Sequence, residues 1–186
     1  MTTREAKLVL VGSTNVGKTS IINWAMSNSY DPDQVATVGV LCTSMNVEVS
    51  DTKVCLKIFD TAGQERFRSL VPMYYHNANI ILVVFAVNDR TSFNTVREMF
   101  QGIKEINTEG WVVLCGNKAD YEEREVSYDE GSDLANELGI DYYETSAKTG
   151  YGITEMFIRT VEGFLKNVEY SYDVKPVPAS GKKKCC

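Results

Sequence analysis

The chain lacks several things that would point to common functions. It has a single histidine, His76, in 186 residues, which argues against a Ser-His-Asp triad or a histidine-built zinc site. Its longest apolar run, Ile80 to Val87, falls far short of the roughly 20 residues that cross a bilayer as a helix. Positive charge is also short, with 19 Lys and Arg against 25 Asp and Glu and a net charge of −6. No basic stripe with interleaved aromatics exists, so nucleic acid is not an expected partner. Cys42, Cys55 and Cys115 fall in or beside strand-like stretches without metal-ligand spacing. They read as small buried hydrophobes in a reducing compartment. Met1 to Lys7 carries both charge signs ahead of only four apolar residues, unlike a secretory signal. These absences leave a water-soluble body. Its length fits one domain that buries about 70% of its unfolded surface.

What is present alternates. Leu8 to Val11 is a continuous apolar run ending in glycine, and Lys18 to Met26 reads as a helix. Met45, Val47 and Val49 alternate with polar residues, as do Val54, Leu56 and Ile58, so the two stretches read as an antiparallel hairpin turning near Asp51-Thr52. Ile80 to Val87 and Val112 to Leu114 read as strands covered on both faces, as in a parallel sheet. Between them Phe93, Val96, Phe100 and Ile103 have helical spacing over Ser92 to Ile106, with Ser92 placed to cap. A helix containing Asp133 to Leu138, a short strand at Tyr142-Tyr143 and a last helix from Ile153 to Lys166 follow. Alternation of this kind predicts an α/β layer fold with a mostly parallel sheet. Glu122 to Val126 reads as a solvated loop and His76 as a solvated helix end. After Asn167 the pattern dissolves, which divides the chain into a domain over 1–167 and a disordered tail over 168–186.

Three motifs carry chemistry. Gly12 to Thr19, GSTNVGKT, matches G-x-x-x-x-G-K-[ST] between an apolar strand and a helix. Gly12 and Gly17 let the backbone wrap so that its amides face a diphosphate, and the helix N-terminus adds partial positive charge. Lys18 would reach the β and γ phosphates, and the Thr19 hydroxyl is a hard oxygen ligand for Mg²⁺. Ser13, Thr14, Asn15, Val16 and Ser20 complete the expected cradle. The loop does not choose between ATP and GTP. GNKAD, Gly116 to Asp120, addresses that choice at the end of the second buried strand, where open α/β sheets bind ligands. The Asp120 carboxylate could accept from the N1–H and the exocyclic amine of guanine, a donor pair that adenine lacks. Asn117 would brace the site, and the stem of Lys118 could lie over the base. TSAK, Thr145 to Lys148, would bring Ser146, the Ala147 amide and Lys148 to the same base.

The set GSTNVGKT, DTAGQERF, GNKAD and TSAK, in that order, resembles the small GTPases of the Ras superfamily. DTAGQERFRSL, then PMYY at Pro72 to Tyr75, and the terminal cysteine pair resemble the Rab branch, particularly its endosomal members. The resemblance implies a three-layer P-loop G domain: a six-stranded, mostly parallel sheet with one antiparallel edge strand and helices on both faces. It implies a monomer that binds GTP and GDP with Mg²⁺ and hydrolyses GTP slowly unless an activating protein assists. Asp60 and Thr37 would join Thr19 at the metal, Gly63 would contact the γ-phosphate, and Gln64 would orient the attacking water. Tyr30 stands where the family places an aromatic against guanine, although an ordinary loop tyrosine is an equal reading. Cys42, Phe59 and Tyr74 would form the aromatic patch that effectors read. Implied partners are an exchange factor, an activator, a GDP-dissociation inhibitor or escort protein, and effectors. The protein would cycle between cytosol and the cytoplasmic face of an intracellular membrane in vesicle traffic. An endocytic step on an endosomal membrane is one reading, and the compartment itself stays open.

Some residues depart from the family pattern. Thr14 is bulkier than many relatives' residue there and would crowd Gln64. Leu41 and Cys42 replace an acidic-aromatic pair, and Phe59 replaces a tryptophan, which shrinks the patch. The ending KKKCC is not a C-a-a-X box. The resemblance implies lipid on both Cys185 and Cys186, which suits physics: one chain anchors only marginally, and two signals anchor stably. Three other readings stay open: a guanine-nucleotide scaffold with little hydrolysis, a non-Rab signalling GTPase, and a P-loop kinase or ATPase, the last opposed by Asp120.

Overall fold

The computed structural model describes residues 2–37, 39–61 and 71–173. Its elements run β1 (Thr2–Val11), α1 (Lys18–Ser27), β2 (Val40–Val49), β3 (Thr52–Thr61), α2 (Val71–Tyr75), β4 (Ile80–Ala86), α3 (Arg90–Asn94), α4 (Val96–Ile106), β5 (Trp111–Asn117), α5 (Tyr128–Leu138), β6 (Asp141–Glu144) and α6 (Ile153–Asp173). The sheet order is β2-β3-β1-β4-β5-β6, with β2 antiparallel to β3 and every other pairing parallel. This is the expected six-stranded sheet with one antiparallel edge.

All seven residues of β4 are buried, because each face of the central sheet is covered. Alternation divides them. Ile80, Leu82 and Val84 join Leu8, Leu10, Ile21, Phe157 and Val161 on the face under α1 and α6. Ile81, Val83 and Phe85 join Val9, Val11, Ile103 and Leu134 on the face under α4 and α5. Each such side chain contributes about 1.5–3 kcal/mol relative to exposure. Among the described residues no helix is long and apolar enough to cross a membrane.

Several details differ from the sequence reading. The hairpin turns at Ser50-Asp51, since Val49 pairs with Thr52 and Ser50 takes the left-handed φ of 51°. The expected helix over Ser92 to Ile106 is two helices. Asp89 caps the first by accepting from the Ser92 amide at 3.1 Å, while Ser92 itself is buried. The Thr95 hydroxyl donates to the Ser92 carbonyl at 2.8 Å where α3 gives way to α4. α5 starts at Tyr128, earlier than its apolar pattern, because Ser127 and Glu130 form a reciprocal capping box.

The stretch 122–126 is not simply solvated. The Glu125 and Val126 amides both donate to the Val87 carbonyl at 2.9 Å, Val126 is fully buried, and Arg124 pairs with Glu144. Cys42 is exposed on the edge strand and Cys55 is half-buried, contrary to the expectation of burial; of the three described cysteines only Cys115 is fully enclosed. His76 is exposed, as read, and its carbonyl accepts from Lys7 Nζ at 3.1 Å. α6 runs to Asp173, past the boundary read at Asn167, and Val168 still packs against the core. Gly63, Gln64, Cys185 and Cys186 lie outside the described residues.

Candidate functional site

Parallel pairing decides where chemistry collects. Leu10 pairs with Asp60 and with Leu82, and Gly116 pairs with Glu144, so the carboxyl ends of β1, β3, β4, β5 and β6 reach one edge of the sheet. A cleft of about 540 Å³ opens there, lined by residues from all three motifs and from the 30–37 segment.

Its phosphate end is built on two glycines. Gly12 (φ 151°) passes so close to β4 that a Cβ would lie 2.1 Å from the Val84 carbonyl oxygen. At Gly17 (φ 94°) a Cβ would meet the Asn117 amide nitrogen at 2.3 Å. The loop therefore wraps tightly, and α1 begins at Lys18. Lys18 is buried, its ammonium donating to the Gly12 and Ser13 carbonyls at 2.9 Å each. Burial lowers its pKa to about 8, partly opposed by the Asp60 charge.

Three oxygens converge beside it. Thr19 Oγ1 donates to Asp60 Oδ2 at 2.5 Å and lies 2.7 Å from Thr37 Oγ1, which donates to the same carboxylate oxygen at 3.3 Å. The other Asp60 oxygen, Oδ1, is buried and has no hydrogen-bond partner among the described residues. Burial raises the Asp60 pKa, against the hydrogen bond from Thr19 and the charge of Lys18. One carboxylate with an orphaned oxygen plus two hydroxyls is a hard-oxygen donor set. It fits Mg²⁺, which is usually held by one or two carboxylates together with substrate phosphates. No group of three or more His, Cys, Asp or Glu that could hold a metal occurs among the described residues.

The base end is already knitted together. Asn117 donates to the Val16 carbonyl at 2.8 Å and accepts from Thr145 Oγ1 at 3.1 Å and the Ala147 amide at 3.2 Å. Ser146 donates to Asp120 Oδ1 at 2.6 Å, and Lys148 Nζ stands 3.9 Å from Asp120 Oδ2. Lys118 holds a left-handed φ of 66° and lines the cleft, its pKa lowered by burial. Tyr30 lines the mouth with 42% of its surface exposed.

Most residues singled out in the sequence line this cleft: Thr14, Asn15, Gly17, Lys18, Thr19, Ser20, Tyr30, Thr37, Asn117, Lys118, Asp120, Ala147 and Lys148. Gly12, Ser13, Val16, Asp60 and Ser146 lie outside that lining. Val16, Asp60 and Ser146 are buried and act through the partners just described. Sequence reasoning missed Tyr121, which lines the base end, and Gln34, which accepts from Asn23 at 2.7 Å and ties the 31–37 segment to α1. Neither falls within a motif: Tyr121 follows directly on GNKAD, its amide closing a turn on the Lys118 carbonyl at 3.1 Å, and Gln34 is placed by its contact with α1.

A second cluster lies on β2, β3 and α2. Cys42 pairs across the strands with Phe59, whose ring centre is 6.3 Å from that of Tyr74, and Lys7 Nζ sits 5.1 Å over the Phe59 ring. The structure thus brings the three proposed patch residues together.

The family model described as the Ras family matches residues 7–166. The chain is 38% identical over 153 residues to GTP-binding protein ypt2 of Schizosaccharomyces pombe, covering 81% of this chain and 76% of that protein. It is 37% identical over 152 residues to Ras-related protein SEC4 of Saccharomyces cerevisiae, covering 81% of this chain and 71% of that protein.

Proposed function

From the premise that this chain belongs to the Ras family of small GTPases, as a Rab-type member that hydrolyses GTP, we propose a membrane-recruitment switch run by the Thr19–Thr37–Asp60 cluster. The observation that carries the reading is the Thr37 hydroxyl seated 2.7 Å from Thr19 and 3.3 Å from Asp60. The segment bearing Thr37 therefore closes onto the place where the phosphates and their cation sit. Mg²⁺, when bound there, neutralises phosphate charge. Thr19 and Thr37 offer it hydroxyl oxygens, and Asp60 offers the orphaned Oδ1. Lys18 turns from the loop carbonyls to the β and γ phosphates. The Asp120 carboxylate accepts from guanine, and Ser146 and Asn117 keep the base site in shape.

Hydrolysis in this reading is positioning and charge neutralisation without a covalent intermediate. Gln64 orients the water, and the Gly63 amide meets the γ-phosphate. Departure of that phosphate removes what Thr37 and Gly63 hold, and both segments relax. Effectors then read the difference at Cys42, Phe59 and Tyr74. An exchange factor reloads GTP, an activating protein speeds hydrolysis, and an escort protein covers the lipids. Lipid on Cys185 and Cys186 anchors the chain, helped by about 1 kcal/mol each from Lys182, Lys183 and Lys184 at an anionic leaflet. The residues DTAGQERFRSL and PMYY favour an endocytic membrane within vesicle traffic.

The test is amide hydrogen exchange over residues 31–37 with Mg²⁺ and either GDP or a non-hydrolysable GTP analogue. Exchange should be slower with the analogue, and Thr37→Ala should remove the difference. Equal exchange in the two nucleotide states would sink the switch. The membrane half falls separately if the Cys185→Ser/Cys186→Ser chain still pellets with membranes.

A further inference from the structure

α1 starts at the phosphate loop, and six residues after Lys18, roughly 9 Å along the axis, it presents Trp24. The indole is partly buried against the core under α1 and α6. It also packs against Gly150, where a Cβ would stand 1.9 Å from Cζ2 and 2.2 Å from Cε2 of Trp24. Gly150 holds a left-handed φ of 84° in the turn that follows Ser146. That turn is closed by the Gly150 amide on the Ser146 carbonyl at 2.8 Å and the Ser146 amide on the Tyr151 carbonyl at 3.0 Å. The Thr149 amide adds a bond to Ser146 Oγ at 3.1 Å. The turn's other face carries the Ser146 hydroxyl to Asp120 and the Ala147 amide to Asn117.

We propose that Trp24 is a positioning residue for guanine: packed on Gly150, it holds the outer wall of the 146–151 turn and ties the base grip to the helix that carries Lys18 and Thr19. The proposal rests on the base-site reading of Asp120 and Ser146 given above. Position 150 must then be glycine for two separable reasons, its backbone angle and the absence of space beneath the indole. Loss of the indole frees the turn to shift, and Ser146 no longer holds Asp120 at the angle that meets both guanine donors. The effect should appear in base discrimination more than in affinity for a diphosphate as such.

The experiment measures release of GDP and of inosine diphosphate, which lacks the exocyclic amine, from the full chain and from its Trp24→Leu and Trp24→Phe variants. Trp24→Leu should speed GDP release about tenfold, a size typical of broken contact networks, and should speed inosine diphosphate release much less. Trp24→Phe, which keeps an aromatic plane on the glycine, should restore most of the preference, and Trp24→Met replaces the leucine variant if that does not fold. Gly150→Ala should speed GDP release more in the wild-type background than beside Trp24→Ala, because only the indole clash is relieved there. Fluorine spectra of 5-fluorotryptophan-labelled chain should show the Trp24 signal moving with GDP and less with inosine diphosphate. GDP release at the wild-type rate in Trp24→Leu (or in Trp24→Met where that replaces it), equal acceleration for both nucleotides, or an additive Gly150/Trp24 cycle would overturn the proposal. A wild-type chain with no preference for GDP would instead overturn the base-site reading beneath it.

Discussion

The two ends of the cleft are finished to different degrees. At the base end the polar groups already have partners: Asn117 has three, and Asp120 holds Ser146 at 2.6 Å. At the phosphate end Lys18 turns its charge on two loop carbonyls, and Asp60 buries an oxygen with no partner among the described residues. Burial pushes both ionisable groups toward their neutral forms there, lowering the Lys18 pKa and raising that of Asp60. A preformed base end provides specificity at little reorganisation cost. An incomplete phosphate end makes stability depend on what arrives. GDP and GTP differ only at that second end, so this is where a switch can act.

The largest expected effect comes from Lys18→Met. It removes the buried cation facing the phosphates, which should weaken GDP by about 2–5 kcal/mol, roughly 30-fold to several thousand-fold. The same variant should melt higher than wild type without nucleotide, since a buried charge is replaced by an apolar chain of similar length. Calorimetric titration and thermal melts check the two halves. A lower melting point for nucleotide-free Lys18→Met would show that Lys18 is satisfied by the loop, and the contrast between the ends would fail.

Next in size is a pH effect. Lys18 has a folded pKa of about 8 against 10.5 for the ordinary lysine. Below pH 8 it is charged in both states, and the folded state bears the full desolvation. Between 8 and 10.5 the unfolded chain binds more protons, so stability of the nucleotide-free protein rises with pH, by on the order of 3 kcal/mol in all. Asp60 acts in acid with the opposite slope. Its folded pKa is raised above 3.8, so the folded state holds the extra proton in that window and stability falls as pH rises through it. Saturating GDP with Mg²⁺ should flatten the alkaline slope, because the phosphates favour the charged lysine. Urea midpoints from pH 7.5 to 10.5, with and without ligand, measure this. An identical slope in Lys18→Met would assign it to another group.

The contrast also explains what could be read from the residues alone. The phosphate loop and the GNKAD and TSAK stretches are contiguous, since each follows one strand and does its work locally. The seven buried residues of β4 were equally plain, because covering both faces removes the need for polar alternation. What stayed hidden depends on groups far apart or on competing local choices. Asp89 and Ser92 are both good capping residues, and only the β4 exit places Asp89 at the helix start. α5 shows its capping box in sequence, yet only Gly131, Leu134 and Ala135 are buried along it, too few for its periodicity to mark the start. Contacts such as Asn23 with Gln34 and Trp24 with Gly150 follow no motif. They exist because α1 touches both the 31–37 segment and the 146–151 turn.

The smallest effect tests the separation of the two ends most closely. Ser146→Ala removes the 2.6 Å bond that orients Asp120 and the acceptor of the Thr149 amide. A hydrogen bond to a charged group is worth about 1.5–3 kcal/mol, and water can replace part of it at a half-open cleft, so GDP affinity should fall roughly tenfold. GTP and GDP share the base, so the variant should weaken both by the same factor. The ratio of their dissociation constants, taken from paired titrations with a non-hydrolysable GTP analogue, should therefore stay at the wild-type value. A ratio that moved with Ser146→Ala would mean that the preformed end senses the third phosphate, and the switch would extend across the whole cleft.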